Sequence, residues 1–357
     1  MTMTARPSRP SKNNCQAGSQ RGEPGDSVPA ELWSRPISVE PGVSIREECV
    51  HQLTSGKHAT TVGAALDQWR DWFDGYRNSH ITFERDDGKT VRTALENSYM
   101  PEYGKRYYAK LKGFEREVER RFESLTTVML TFSASHENAN GKPRCPADHM
   151  RDIAGGFDTA RKHLYHVLSG REWEYAKVWE PHEDGYGHLH MAIFVDGEAT
   201  ADEFEPVLSK YTESVGSAGS DAHTVDESVS VYDTVENMGS YISEYIGIFG
   251  DETLNRPTSE QLFYAISWAT NTRRVEFSNG AQEMIKSDRE RQRREETGTT
   301  PEDRGGGGGG LGAATVGGGV GGGGGRGGGR AGAGGVETRR DDGGPGGETG
   351  GVVRSGS

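Results

Sequence analysis

His188 and His190 stand one residue apart at the head of residues 187–195, an apolar run rich in β-branched and aromatic side chains. On a strand, residues i and i+2 face the same side, so both imidazoles point one way while Leu189 points the other. Two imidazoles are half of a divalent-metal site. Glu180 lies near the end of the preceding extended segment, where hairpin pairing brings its carboxylate beside them. Two histidines and one carboxylate leave positions open for water and a phosphate oxygen, as a catalytic rather than a structural site requires. His182, Glu183 and Asp184 in the intervening turn are alternative ligands, ranked below Glu180 because strand positions are better fixed than turn positions. With a phosphate substrate, such a set suits Mg²⁺ or Mn²⁺. By itself a His-x-His pair is more often partly exposed surface, and it gains weight from the carboxylate, the glycine turn and the apolar run around it.

Tyr241 and Tyr245 differ by four, which puts two phenols on one helix face about one turn apart. A phenol is a poor nucleophile until a cation withdraws charge from the phosphate it attacks. The product of such an attack is a 5′-phosphotyrosine beside a free 3′-hydroxyl, and two tyrosines can take turns. Alone, Tyr-x-x-x-Tyr usually means two packed aromatics, so its weight depends on the histidines.

These side chains need a scaffold. Residues 60–76 and 103–123 repeat apolar positions at helical spacing, and the second carries Lys105, Arg106, Lys110, Lys112, Arg116, Arg120 and Arg121 between them. That basic helix either lies along a phosphate backbone or presents a solvated charged face, the commoner meaning. Asp86-Asp87-Gly88-Lys89-Thr90 reads as a turn between two extended pieces. It is not a phosphate loop, since Phe83 stands where the first glycine is required. A strand over 126–133, a helix over 146–169, a hairpin of 173–180 with 188–195 and a helix over 201–215 follow. Then come a strand over 227–232, the tyrosine helix over 237–249, a helix from a Thr258–Gln261 capping signature through Trp268, and an edge strand over 273–277. Residues 288–296 read as a charged segment fraying into the tail. This order predicts an α+β fold, a central antiparallel sheet carrying the His-x-His strand with helices packed on its faces.

Composition sets the boundaries. Glycine fills 28 of the 53 positions from Gly305 to Ser357, which leaves nothing to form a core. The expected layout is a disordered segment over 1–45, a helical part over 60–125, a domain over 126–290 that holds the histidines and tyrosines, and a disordered Gly-rich tail over 297–357. Arg326, Arg330, Arg339 and Arg340 in that tail echo segments that hold single strands loosely, although Asp341, Asp342 and Glu348 offset them. The net charge of -13 has the wrong sign for an ordinary nucleic-acid binder. It fits a protein adapted to high salt, where charges are screened within about 3 Å at 1 M and short-range contacts carry recognition. Cys15, Cys49 and Cys145 are odd in number and far apart, against a disulfide framework. A cytoplasmic location is expected, because no run has a signal-peptide core or the length to span a membrane.

Three motifs in order, Val128-Met129-Leu130-Thr131-Phe132-Ser133, Gly187-His188-Leu189-His190-Met191 and Tyr241-Ile242-Ser243-Glu244-Tyr245, resemble those of the HUH endonucleases. That superfamily includes rolling-circle replication initiators, conjugative relaxases and single-strand transposases. The two tyrosines, the acidic background and Ala265-Ile266-Ser267-Trp268-Ala269-Thr270 are similar to haloarchaeal plasmid and virus Rep proteins, over roughly 105–285. The resemblance implies a metal-dependent nickase that starts rolling-circle replication on single-stranded or hairpin origin DNA. His188 and His190 would be metal ligands with Glu180 as the third, Tyr241 the initiating nucleophile and Tyr245 the strand-transferring one. Many two-tyrosine members have lysine where this chain has Glu244, and a carboxylate cannot clamp phosphate as an ammonium does. With no phosphate loop for a helicase, unwinding and synthesis fall to a host helicase and polymerase. A relaxase or transposase of the same chemistry, or a non-catalytic nucleic-acid-binding protein with this fold, are the alternatives.

Overall fold

The computed structural model describes residues 28–38, 45–46, 49, 59–232, 253–297 and 352–353. They divide into two compact units, one comprising the chain to His80 together with Thr93–Arg291, the other Ile81–Arg92 with the chain from Gln292. The helix predicted over 237–249, with Tyr241, Glu244 and Tyr245, lies outside the described residues.

In the main unit, β1 (Pro36–Ser38) pairs with β2 (Ala59–Thr61), and α1 (Val62–Tyr76) follows, capped by the Thr61 hydroxyl, which accepts from the Ala64 N–H. Most of β3 (His80–Glu84) and β4 (Thr90–Ala94), and their turn with Gly88 at φ +77°, belong to the second unit. The core elements then run α2 (Pro101–Arg121), β5 (Leu125–Phe132), α3 (Pro146–Val167), β6 (Trp173–Pro181), β7 (Gly187–Asp196) and α4 (Glu205–Ser214). The short α5 (Val225–Ser228), β8 (Val229–Tyr232), α6 (Thr258–Ala269), β9 (Val275–Phe277) and α7 (Asn279–Thr297) complete the order.

The central sheet has five antiparallel strands in the order β8-β5-β7-β6-β9. Period-two alternation sorts each strand onto two faces. Val128, Leu130 and Phe132 of β5 and Leu189, Met191, Ile193 and Val195 of β7 join the core that holds α3 and α6. Met129, Ala192 and Phe194 join the opposite core, with Leu111, Phe114 and Val118 of α2 and Ala281, Met284 and Ile285 of α7. Both faces are therefore covered, as the α+β reading requires. The continuous apolar character of β7 follows from this double burial, and its two histidines are the polar break in it.

Three local expectations change. The predicted strand over 227–232 begins with one helical turn, so only Val229–Tyr232 pairs with β5. The capping signature at Thr258 is not used: Pro257 occupies the N-cap with no side-chain bond. Residues 288–296 do not fray, because the helix is continuous over Asn279–Thr297. Its anchor is Asp288, which is 2% exposed and accepts from Arg116 of α2 at 2.7 Å and from Arg291 at 2.7 Å. Arg120 and Arg121 similarly close on the fully buried Glu117. Much of the basic stripe on α2 thus neutralises carboxylates at a helix pair, since a charge out of water must be paired.

The β6–β7 turn is tight against α6. A Cβ on Gly187 would sit 2.4 Å from Phe263 Cε2 and 3.1 Å from the Glu180 carbonyl oxygen. Gly187→Ala is expected to lower stability by roughly 1–3 kcal/mol through overpacking, read from the denaturant midpoint. An unchanged midpoint would show that the turn yields freely.

Candidate metal centre

Hairpin register builds the site. Glu180 of β6 pairs directly with His188 of β7, and Val178 with His190. Directly opposed side chains in an antiparallel pair lie within reach on one face, so the carboxylate meets the first imidazole, and the second is its i+2 neighbour. The His188 Nε2 lies 2.6 Å from Glu180 Oε2, the His190 Nε2 lies 2.7 Å from the same oxygen, and the two Nε2 atoms are 2.7 Å apart. Two ring nitrogens that close cannot both carry protons, so at least one presents a lone pair.

The outer nitrogens have partners of their own. His190 Nδ1 is 3.0 Å from Thr131 Oγ1, across the β5–β7 pair in which Thr131 and His190 are in register. His188 Nδ1 is 2.5 Å from His182 Nε2. With protons on both Nδ1 atoms, two Nε2 lone pairs and one carboxylate oxygen face a single point, an arrangement that a cation completes.

The donor set fits a divalent cation. Bonds of about 2.1 Å at right angles put neighbouring ligand atoms about 3 Å apart, whereas tetrahedral angles put them at about 3.4 Å. The edges of 2.6–2.7 Å are shorter than either, so the three atoms already stand close enough to share one cation, and two histidines with one carboxylate would leave further positions open. The side chain of His190 is 7% exposed and that of Glu180 25%, so the centre is walled below and open at the carboxylate.

Electrostatics favour an ionised Glu180 and a neutral His188. Burial opposes ionisation of Glu180, but hydrogen bonds and charge from His188 and His190 outweigh it and hold the carboxyl down to about 2. Burial, chiefly, pushes the His188 imidazole below its ordinary value. Glu180, His188 and His190 are therefore brought together as the residue pattern demands; Tyr241 and Tyr245 lie outside the described residues.

Four further residues surround the centre without having been singled out as its neighbours. Thr131 had a legible signal, its place in the β5 motif. His136, His149 and Tyr186 had none, because they come together only through the fold: His136 stacks on Tyr186 at 4.3 Å, and His149 meets both rings edge-on. Of the turn residues held as alternatives, His182 touches His188, and Asp184 binds His136 Nδ1 at 2.6 Å.

The family profile described as "Putative rep protein (DUF1424)" matches residues 35–303. The chain belongs to this family. It is 35% identical over 263 residues to an uncharacterized 36 kDa protein of Halobacterium salinarum, covering 69% of this chain and 83% of that relative. A second uncharacterized 36 kDa protein, from Halobacterium sp. (strain GN101), is 31% identical over 271 residues with the same coverage. No solved structure matches significantly. This DUF1424 chain is thus a Rep-like protein with haloarchaeal relatives, in keeping with its acidic composition. Among the described residues no helix is long and apolar enough to cross a membrane.

The buried histidines give this Rep-like chain a pH response. His149 is fully buried, its Nε2–H donates to the Ala134 carbonyl oxygen and its Nδ1 has no hydrogen-bond partner. Burial, chiefly, lowers its pKa to about 3, and burial followed by His188 and His136 lowers that of His182 to about 4. Unfolded imidazoles titrate near 6.5. Folding stability from these neutral rings is thus complete above about pH 6.5 and drains as pH falls toward the folded values. Each ring contributes a slope of up to about 1.4 kcal/mol per pH unit. Unfolding free energies between pH 6.5 and 4.5 should show one proton's worth less slope in His149→Gln than in the parent. Equal slopes would mean that His149 charges without cost.

Proposed function

We propose that this Rep-like chain is a site-specific, divalent-metal-dependent single-strand DNA endonuclease and strand transferase. It would initiate rolling-circle replication of a plasmid or virus through a tyrosyl-DNA intermediate. The observation that carries the reading is the convergence of Glu180 Oε2 with the Nε2 atoms of His188 and His190 on one point of the sheet. The motif order from β5 through β7 to the tyrosine pair supports it, as does membership of a family described as Rep.

Glu180, His188 and His190 would hold Mg²⁺ or Mn²⁺, which supplies charge withdrawal from a bound phosphate oxygen. Thr131 orients His190 through its Nδ1, and burial favours the neutral form of the His188 ring. The nucleophile is assigned to Tyr241. Its oxygen forms the bond to phosphorus while the bond from phosphorus to the 3′-oxygen breaks; the phenol proton is lost, and the 3′-oxygen gains a proton. The phosphodiester energy is kept in the phosphotyrosine for rejoining, and Tyr245 takes the second transfer. The nuclease part is assigned to residues 126–290, with origin DNA bound at its open carboxylate side. Helicase and polymerase activities would come from the host.

Incubation with end-labelled single-stranded origin DNA and Mn²⁺ in high salt tests this directly. A covalent protein–DNA band is expected, absent in Tyr241→Phe and reduced at least about 100-fold in His188→Ala, since loss of the cation removes several kcal/mol of transition-state stabilisation. No band across the origin sequences of the replicon would leave a DNA-binding protein without the nicking activity.

A further inference from the structure

His136, His182 and Asp184 form a second group beside the centre, with one ligand atom from each lying within 4.8 Å of the others. Its composition matches the first group, and a second cation is the obvious reading. Proton counting argues against it. When His188 offers its Nε2 lone pair inward, its proton sits on Nδ1. That N–H must be donated to His182 Nε2, 2.5 Å away. A neutral His182 that accepts at Nε2 carries its own proton on Nδ1, and neither nitrogen is then free for a second ion.

The surroundings of His182 are built to hold this orientation. Its N–H donates to the Tyr186 carbonyl oxygen at 2.7 Å, and its carbonyl oxygen accepts from the Gly185 N–H at 3.1 Å. Gly185 has φ +88°, and a Cβ there would lie 2.7 Å from Leu262 Cδ2, so the turn needs glycine for both reasons. The ring crosses that of His188 edge-on at a centroid distance of 4.5 Å and 79°. Asp184 is fixed by His136 Nδ1 at 2.6 Å and by the Tyr186 N–H at 3.3 Å. One carboxylate oxygen of Asp184 also lies within 4.8 Å of a His182 ring nitrogen.

We propose that His182 is a positioning residue: by accepting the Nδ1–H of His188 it fixes the tautomer that turns Nε2 toward the divalent cation, and the His136–His182–Asp184 group serves as its support rather than as a second metal site. This rests on the metal-centre reading above. Outer partners of ligating histidines commonly matter by about 10–100-fold in metal affinity. His182 would do for His188 what Thr131 does for His190.

Calorimetric titration of the full chain with Mn²⁺ tests the proposal. The parent is expected to bind one ion. His182→Ala should bind roughly 10–100-fold more weakly, while His182→Gln, whose side-chain oxygen can accept the same proton, should recover most of the loss. Thermal unfolding confirms that the variants fold; should His182→Ala fail, His182→Phe fills the space without an acceptor. Long-range ¹H–¹⁵N spectra of the Mg²⁺-loaded chain should show His188 protonated at Nδ1 in the parent and in His182→Gln, and mixed tautomers in His182→Ala. Parent-like affinity in His182→Ala, or two ions in the parent with one lost in His136→Ala, overturns the proposal. A parent that binds no Mn²⁺ removes the metal centre itself, and the positioning role falls with it.

Discussion

The register between β6 and β7 is the constraint on which the site depends. Pairing Glu180 with His188 sets a carboxylate opposite an imidazole, and the strand period adds His190 on the same face. A slip of one residue would turn Glu180 to the other face of the sheet and separate the three groups. The register is held from several sides. β7 is flanked by β5 and β6, its outward residues are buried in two cores, and the turn is pressed against Phe263 and Leu262 of α6. The convergence of Glu180, His188 and His190 is thus a by-product of a doubly covered sheet.

Burial then does the electrostatic tuning. A histidine is an effective ligand only when neutral, and desolvation favours the neutral form. His188 is pushed down by burial, while Glu180 remains ionised because hydrogen bonds from both rings outweigh its own desolvation. The supporting residues extend this pattern outward: Thr131 stands behind His190, and His182 with Asp184 and His136 stands behind His188.

Much of this was legible in the residues. The continuous apolar runs of β5 and β7, helical spacing on α1 to α3 and the break at residues 181–187 specify the sheet and its hairpin, because burial dictates each of these patterns. The β6–β7 register sets Glu180 directly opposite His188. What was illegible depends on contacts distant in sequence. Nothing local marks His136 as a stacking partner of Tyr186, or Asp288 as the buried anchor of α7 to α2. The same anchoring hid the meaning of the basic stripe on α2, since Glu117 and Asp288 take up Arg116, Arg120 and Arg121. The one-turn α5 before β8 was missed because Glu227 and Ser228 fit either state.

Anomalous diffraction from crystals soaked in Mn²⁺ tests the central claim most directly, because it locates the ion without requiring turnover. One peak is expected about 2.2 Å from the Nε2 atoms of His188 and His190 and from a Glu180 carboxylate oxygen. A peak elsewhere on the chain, or none at these three atoms while Mn²⁺ is bound in solution, would contradict it.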